Sequence, residues 1–247
     1  MQNNMNTQFP IPDQEMPEEY HKVKYAYSKM IKLNKVKEID VDLQYPKMGL
    51  KNATDLCYIR KDVLNRLIEA KQYLPEGYSF KIYDAWRPFE LQNELYHTYS
   101  KTLITKYHLQ SVSEQEKIKT LSKFVSFPMN DRENPPVHTT GGAIDLTIID
   151  QQGNELDMGS GFDSFGEESC TSYFEKTKEM NIVLNRRLLY HSMIKAGFTN
   201  LPSEWWHYDY GDRFWAYYKN QTAIYPGIFT IEELKSYEEK PSGVSFE

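Results

Sequence analysis

The stretch AIDLTIID, residues 143–150, constrains this chain most. It is apolar and β-branched, which predicts a strand, yet it carries a carboxylate at Asp145. On a strand, Asp145 shares a face with Ala143 and Thr147, while Ile144, Leu146 and Ile148 point the other way into a core. A carboxylate among such neighbours needs a partner, because an unpaired buried charge is very costly. A metal ion is one such partner. His138 lies seven residues upstream, an odd separation that would put it on the opposite face of a straight strand. Gly141 and Gly142 break that strand and let His138 sit on a turn.

A second stretch, SEWWHYDYGD over 203–212, sets Glu204 three residues before His207 among aromatic residues. That spacing aligns two side chains on a helix, but the aromatic content favours a strand. Pro202 and Ser203 predict a bend at Glu204, so that it leans toward whatever His207 faces. Asp209 shares a strand face with His207 and is positioned to support it from behind. His138, Asp145 and His207 together would offer N, O and N donors. Three protein ligands leave a fourth tetrahedral position open, the pattern of catalytic rather than structural zinc. Glu204 would then be a free carboxylate beside the site, suited to take a proton from water. Spacing alone does not decide between this and ordinary buried polar packing: a His near an Asp is common, and a lone Glu-x-x-His is weaker still.

Elsewhere the periodicity predicts a helix from Asp62, a plausible N-cap, to Leu74, then a strand over YSFKIYDAW. Pro88 suits the first turn of a helix carrying Leu91, Leu95 and Leu103. Ser113 with Glu116 reads as a capping box, with the helix running to Pro128. NIVLNRRLLYHSMIKAGF predicts a helix closing at Gly197, and Thr230 with Glu233 caps a last short one. Helices and strands mix without regular alternation. The fold class expected is α+β, with a central antiparallel sheet carrying the site and helices flanking it. Residues 1–20, rich in Pro and polar residues, are expected to form a loose arm before a single domain over 21–247.

With 247 residues and a formal charge of -6, the chain has material for a core but no basic footprint for nucleic acid. No apolar run approaches the ~20 residues of a membrane span, and the first residues lack the pattern of a secretory signal, so a cytoplasmic location is expected. Cys57 and Cys170 lack zinc-finger spacing and are expected as free thiols. No obligate protein partner is evident.

YDAWRP, HTTGGAIDLT, MGSGFDSF, NRRLLYHSMIKAGF and EWWHYDYGD occur in the order seen in D-alanyl-D-alanine dipeptidases of the vancomycin-resistance type, and the chain resembles that family from about residue 38 to residue 218. The resemblance implies a zinc peptidase whose fold is shared with cell-wall D,D-carboxypeptidases and hedgehog domains. The family's zinc motif falls on His138, Gly141, Ala143 and Asp145, and its Glu-x-x-His motif on Glu204 and His207. The family's arginine falls on Arg87, implied to stabilise the oxyanion, with Glu204 as the base and a small dipeptide as substrate. One departure is Pro136, where the family usually has Ser. Three functions compete: hydrolysis of free D-Ala-D-Ala, D,D-carboxypeptidase or endopeptidase action on peptidoglycan stem peptides, and a zinc-binding module without turnover. Glu204 and Arg87 argue against the last, because a binding module needs neither a base nor an oxyanion donor.

Overall fold

The computed structural model describes residues 7–18, 23–36, 39–122 and 124–238. The strands are β1 (Met30–Lys32), β2 (Asp40–Val41), β3 (Tyr58–Arg60), β4 (Ser79–Asp84), β5 (Ala143–Ile149), β6 (Thr199–Asn200) and β7 (His207–Asp209). The helices are α1 (Gln44–Lys47), α2 (Lys61–Lys71), α3 (Phe89–Lys106), α4 (Glu114–Leu121), α5 (Met180–Lys195), α6 (Arg213–Lys219) and α7 (Ile231–Glu238). The architecture is α+β. A five-stranded sheet runs in the order β2-β4-β5-β7-β6, and β1 pairs with β3 in a separate ribbon. Pairings among β4, β5, β7 and β6 are antiparallel, as the sequence predicts. At the edge, β2 joins β4 in parallel, which the sequence reading lacks.

One face of the sheet builds the core. Phe80, Ile82, Ile144, Leu146, Ile148 and Tyr208 pack with Val63 and Leu67 of α2 and Leu188, Leu189 and Met193 of α5. Burying one such side chain contributes about 1.5–3 kcal/mol, so this face orients the whole sheet. The other face must then carry the polar residues of β5 and β7. Register sets them opposite each other: Asp145 pairs with His207 and Ala143 with Asp209. In β4 the pairing shifts by one between Ile82 and Asp84. Without that bulge Asp84 would follow Phe80 and Ile82 into the core; the extra residue turns it to the face of Asp145, its partner across the strands.

Several local expectations are corrected. Asp62 does not cap α2. Arg60 occupies the N-cap position, and Asp62 instead accepts from Ser28 Oγ (2.9 Å) and Tyr225 Oη (3.2 Å). Ser113 does cap α4, accepting from the Glu116 amide at 3.2 Å, but that helix stops at Leu121. The strand expected over EWWHYDY begins only at His207, because 202–206 form a turn. Thr230 accepts from the Glu233 amide, and Glu233 reaches back to the Phe229 amide, so α7 is capped reciprocally. Residues 7–18 of the expected arm lie along α5 and the preceding loop. Ile11 is buried, its amide donates to Glu175, and Arg187 donates to the Thr7 carbonyl. Residues 1–6, 19 and 20 lie outside the described residues. Cys57 and Cys170 are free thiols. Among the described residues no helix is long and apolar enough to cross a membrane.

Candidate metal centre

His138 sits in a tight 3-10 turn, Val137–Thr140, that ends at Gly141 with φ 72°. An L side chain rarely adopts that conformation, so glycine is what lets the chain turn from His138 into β5. Buried Arg60 holds the turn from beneath: its Nε donates to the Thr140 carbonyl (2.7 Å) and its amide to the Gly141 carbonyl (3.0 Å). From above, the Arg87 amide donates to the His138 carbonyl at 3.2 Å. The Glu204–His207 turn is stapled by Asn200, whose Nδ2 donates to both the Glu204 and the His207 carbonyls (3.1 and 2.9 Å).

These supports bring three side chains to one point. His138 Nε2 lies 3.2 Å from His207 Nδ1 and 3.5 Å from Asp145 Oδ2, and His207 Nδ1 lies 3.0 Å from Asp145 Oδ1. Each imidazole spends its other nitrogen elsewhere. His138 Nδ1 donates to the Ala85 carbonyl (2.8 Å), and His207 Nε2 donates to Asp209 Oδ1 (2.8 Å). The carbonyl can only accept, so His138 Nε2 is left as a lone pair. A neutral His207 likewise turns a lone pair inward. Three buried acceptors thus face one another with no donor of their own, which is unfavourable unless a cation or proton lies between them. The edge of a tetrahedron with bonds of about 2.0–2.1 Å is roughly 3.3–3.4 Å, close to the 3.2 Å between the two imidazole nitrogens, while Asp145 turns one oxygen to each ring. The triad therefore fits a first-row divalent ion, and the Ala85 carbonyl and Asp209 fix the tautomers for it. Against the penalty of burial, Asp209 and Asp145 hold His207 well above the usual imidazole range. Against the same penalty, His138 and His207 hold Asp145 well below the usual carboxylate range.

All five sequence-predicted residues line one small cleft, of about 40 Å³. Glu204 Oε2 stands 3.8 Å from His207 Nδ1, with the side chain 19% exposed at the mouth. Burial, above all, pushes its carboxyl up to about 8, with Asp145 and Asp163 adding repulsion. Arg87 is buried and ion-paired with Asp84. Its Nε and Nη2 both donate to Asp84 Oδ2 (2.9 and 2.7 Å), Nη1 to Gln92 Oε1 (2.8 Å) and Nη2 to Tyr45 Oη (3.1 Å). Nη2 also stands 3.8 Å from Asp145 Oδ2, so the guanidinium borders the triad.

Sequence reasoning missed four polar lining residues: Tyr45, Tyr99, Ser126 and Asp163. Asp163 reads as a turn-former in FDSF, and it does adopt φ 54°. That conformation also turns its carboxylate into the cleft, where Tyr99 Oη donates to it (2.7 Å) and burial pushes its carboxyl up to about 6. Arg186 donates to the Met158, Cys170 and Glu168 carbonyls. Trp86, Trp205 and Trp206 are buried in the apolar core rather than lining the cleft.

A triad of this kind, open on one side to a small cleft that holds a carboxylate and an arginine, defines the class of mononuclear metallohydrolases. The profile of the peptidase family described as D-ala-D-ala dipeptidase matches residues 46–226. The chain belongs to that family. It is 30% identical over 181 residues to a D-alanyl-D-alanine dipeptidase of Synechocystis sp., a match that covers 66% of this chain and 73% of the relative. It is also 30% identical over 154 residues to a D-alanyl-D-alanine dipeptidase of Escherichia coli, covering 62% and 66%. Among solved structures, a mutant of the vancomycin-resistance D,D-pentapeptidase VanY in complex with Zn(II) aligns with 15% identity and a TM-score of 0.36, over 81% of this chain and 90% of that one. VanYB in complex with D-alanine-D-alanine aligns with 15% identity and a TM-score of 0.38, over 76% and 89%.

Proposed function

We propose that this chain is a zinc-dependent dipeptidase that hydrolyses free D-alanyl-D-alanine, acting as a single catalytic domain over 21–247 with one zinc per chain. His138, Asp145 and His207 are the ligands. The observation that carries the reading is the convergence of two imidazoles and a carboxylate, all buried, in a cleft that also holds Glu204 and Arg87. Zinc supplies Lewis acidity there. Glu204 takes a proton from the attacking water and delivers it to the leaving amine. Its raised carboxyl and its place outside the triad suit that exchange. Arg87, fixed by Asp84, Gln92 and Tyr45, presents its charge to the oxygen of the scissile carbonyl as negative charge develops. Because its partners hold the fork in place, little reorganisation is needed at the moment of reaction.

Two features support a free dipeptide over a peptidoglycan strand. The cleft is walled by Phe124, Val125, Leu201 and Phe214 and is small. Asp163 supplies an acidic group inside it, able to take the ammonium of an unblocked N-terminus. The test is release of D-Ala from D-Ala-D-Ala by metal-analysed protein, with L-Ala-L-Ala and a muropeptide pentapeptide alongside. Cleavage of the D,D-dipeptide alone is expected. Equal rates on both enantiomers would overturn the reading, because an inverted centre misplaces both carbonyl and terminus. Preferential cleavage of the pentapeptide would move the substrate to the cell wall.

A further inference from the structure

Ser126 is the one serine or threonine among the residues lining the cleft. It follows α4 and is half-buried. Its carbonyl accepts from Gln92 Nε2 at 2.8 Å, whereas its hydroxyl bonds to none of the described residues. Gln92 is itself 1% exposed, and its other amide atom accepts from Arg87 Nη1. One side chain therefore fixes both the guanidinium and the backbone that presents the Ser126 hydroxyl.

The inner face of α3 sets the scale. Gln92, which holds Ser126, and Tyr99, which holds Asp163, are seven residues apart on one helical face, about 10.5 Å along the axis. An extended dipeptide spans about 7 Å, which fits within that length. The acidic end at Asp163 suits an ammonium. Gln92 ties the Ser126 backbone to the Arg87 guanidinium, a positive charge that favours a carboxylate.

We propose that Ser126 is a substrate-contacting residue whose hydroxyl donates to the C-terminal carboxylate of the dipeptide and so selects an unblocked C-terminus. The proposal rests on the dipeptidase reading. It is tested with zinc-loaded wild type and Ser126→Ala, measuring kcat and KM on D-Ala-D-Ala and the inhibition constant of D-Ala-D-Ala carboxamide, which lacks the terminal charge. A lost hydrogen bond to a charged group should raise KM for the dipeptide about tenfold or more in Ser126→Ala, with kcat changed less than about threefold. The carboxamide, deprived of the charge that the hydroxyl meets, should bind both proteins within about twofold. An unchanged KM overturns the contact, and so does an equal loss on dipeptide and carboxamide, which would mark a general distortion of the wall. Absence of hydrolysis by the wild type overturns the dipeptidase reading and takes the contact with it, whereas wild-type turnover with either other result removes Ser126 alone.

Discussion

At the scale of single residues, a ligand and a base fail differently when removed. Glu204→Gln is nearly isosteric and leaves the triad whole, so bound zinc is expected to stay at wild-type level while kcat falls on the order of 10²–10⁴-fold. His207→Ala should instead release zinc, because it removes one of three donors. Metal analysis and kcat on the same preparations separate the two, and loss of zinc in Glu204→Gln would make that residue a ligand. Arg87→Lys should be nearly as damaging as Arg87→Ala. Lysine keeps the charge but cannot reach Asp84, Gln92 and Tyr45 together, as the guanidinium does. The loss belongs in kcat, where charge on the oxyanion appears. Asp163 predicts a pH dependence. Burial raises its carboxyl to about 6, so below that pH it gains a proton and loses the charge that attracts an ammonium. KM for the dipeptide should rise as pH falls through about 6, and Asp163→Asn should raise KM at neutral pH and flatten that limb. A wild-type KM constant from pH 5 to 7 would remove Asp163 from substrate binding.

At the scale of elements, the site depends on departures from regular structure. A bulge turns Asp84 toward the metal face, a left-handed glycine turns the chain out of His138, and Asn200 staples a turn where a strand would otherwise run. Gly141→Ala tests the second. A Cβ there would meet Met30 Cε at 2.6 Å, and the backbone would be held at φ 72°. A cost of about 1–2 kcal/mol from the left-handed conformation alone is expected, seen as a lower Tm together with weaker zinc binding. Thr230→Ala is the contrast. It removes a cap from α7, which packs on β1 rather than on the cleft. It should cost about 1 kcal/mol of stability while kcat stays at the wild-type value. Equal damage to zinc affinity in both variants would mean that the turn has no special part in holding His138.

At the scale of the whole molecule, the apolar face of the sheet against α2 and α5 supplies stability, and the polar face collects groups that repel or desolvate one another until a cation joins them. Chelation should therefore lower Tm, and stoichiometric zinc should restore it, because an ion that binds only the native triad stabilises the fold by mass action. An unchanged Tm on chelation would mean that the triad is stable without metal. Much of this was legible in the sequence. The alternation of AIDLTII fixed which face Asp145 takes, and the two glycines announced the turn at His138. The three donors and Arg87 could be picked out because local pattern and order along the chain are properties of sequence. Asp163 was not recognised, since a φ near 54° reads as a turn whether or not the carboxylate points into a cleft. Gln92, Ser126 and Tyr45 had no signal at all. They come from the first turn of α3, the segment after α4 and the short α1, and none has a chemistry until packing sets it beside Arg87. The donor set follows from side-chain chemistry that each residue carries by itself. The walls of the cleft, the parallel edge strand and the partners of Arg87 depend on contacts between segments 40 or more residues apart, or on a helix placed against the sheet, and only burial of the common core decides those.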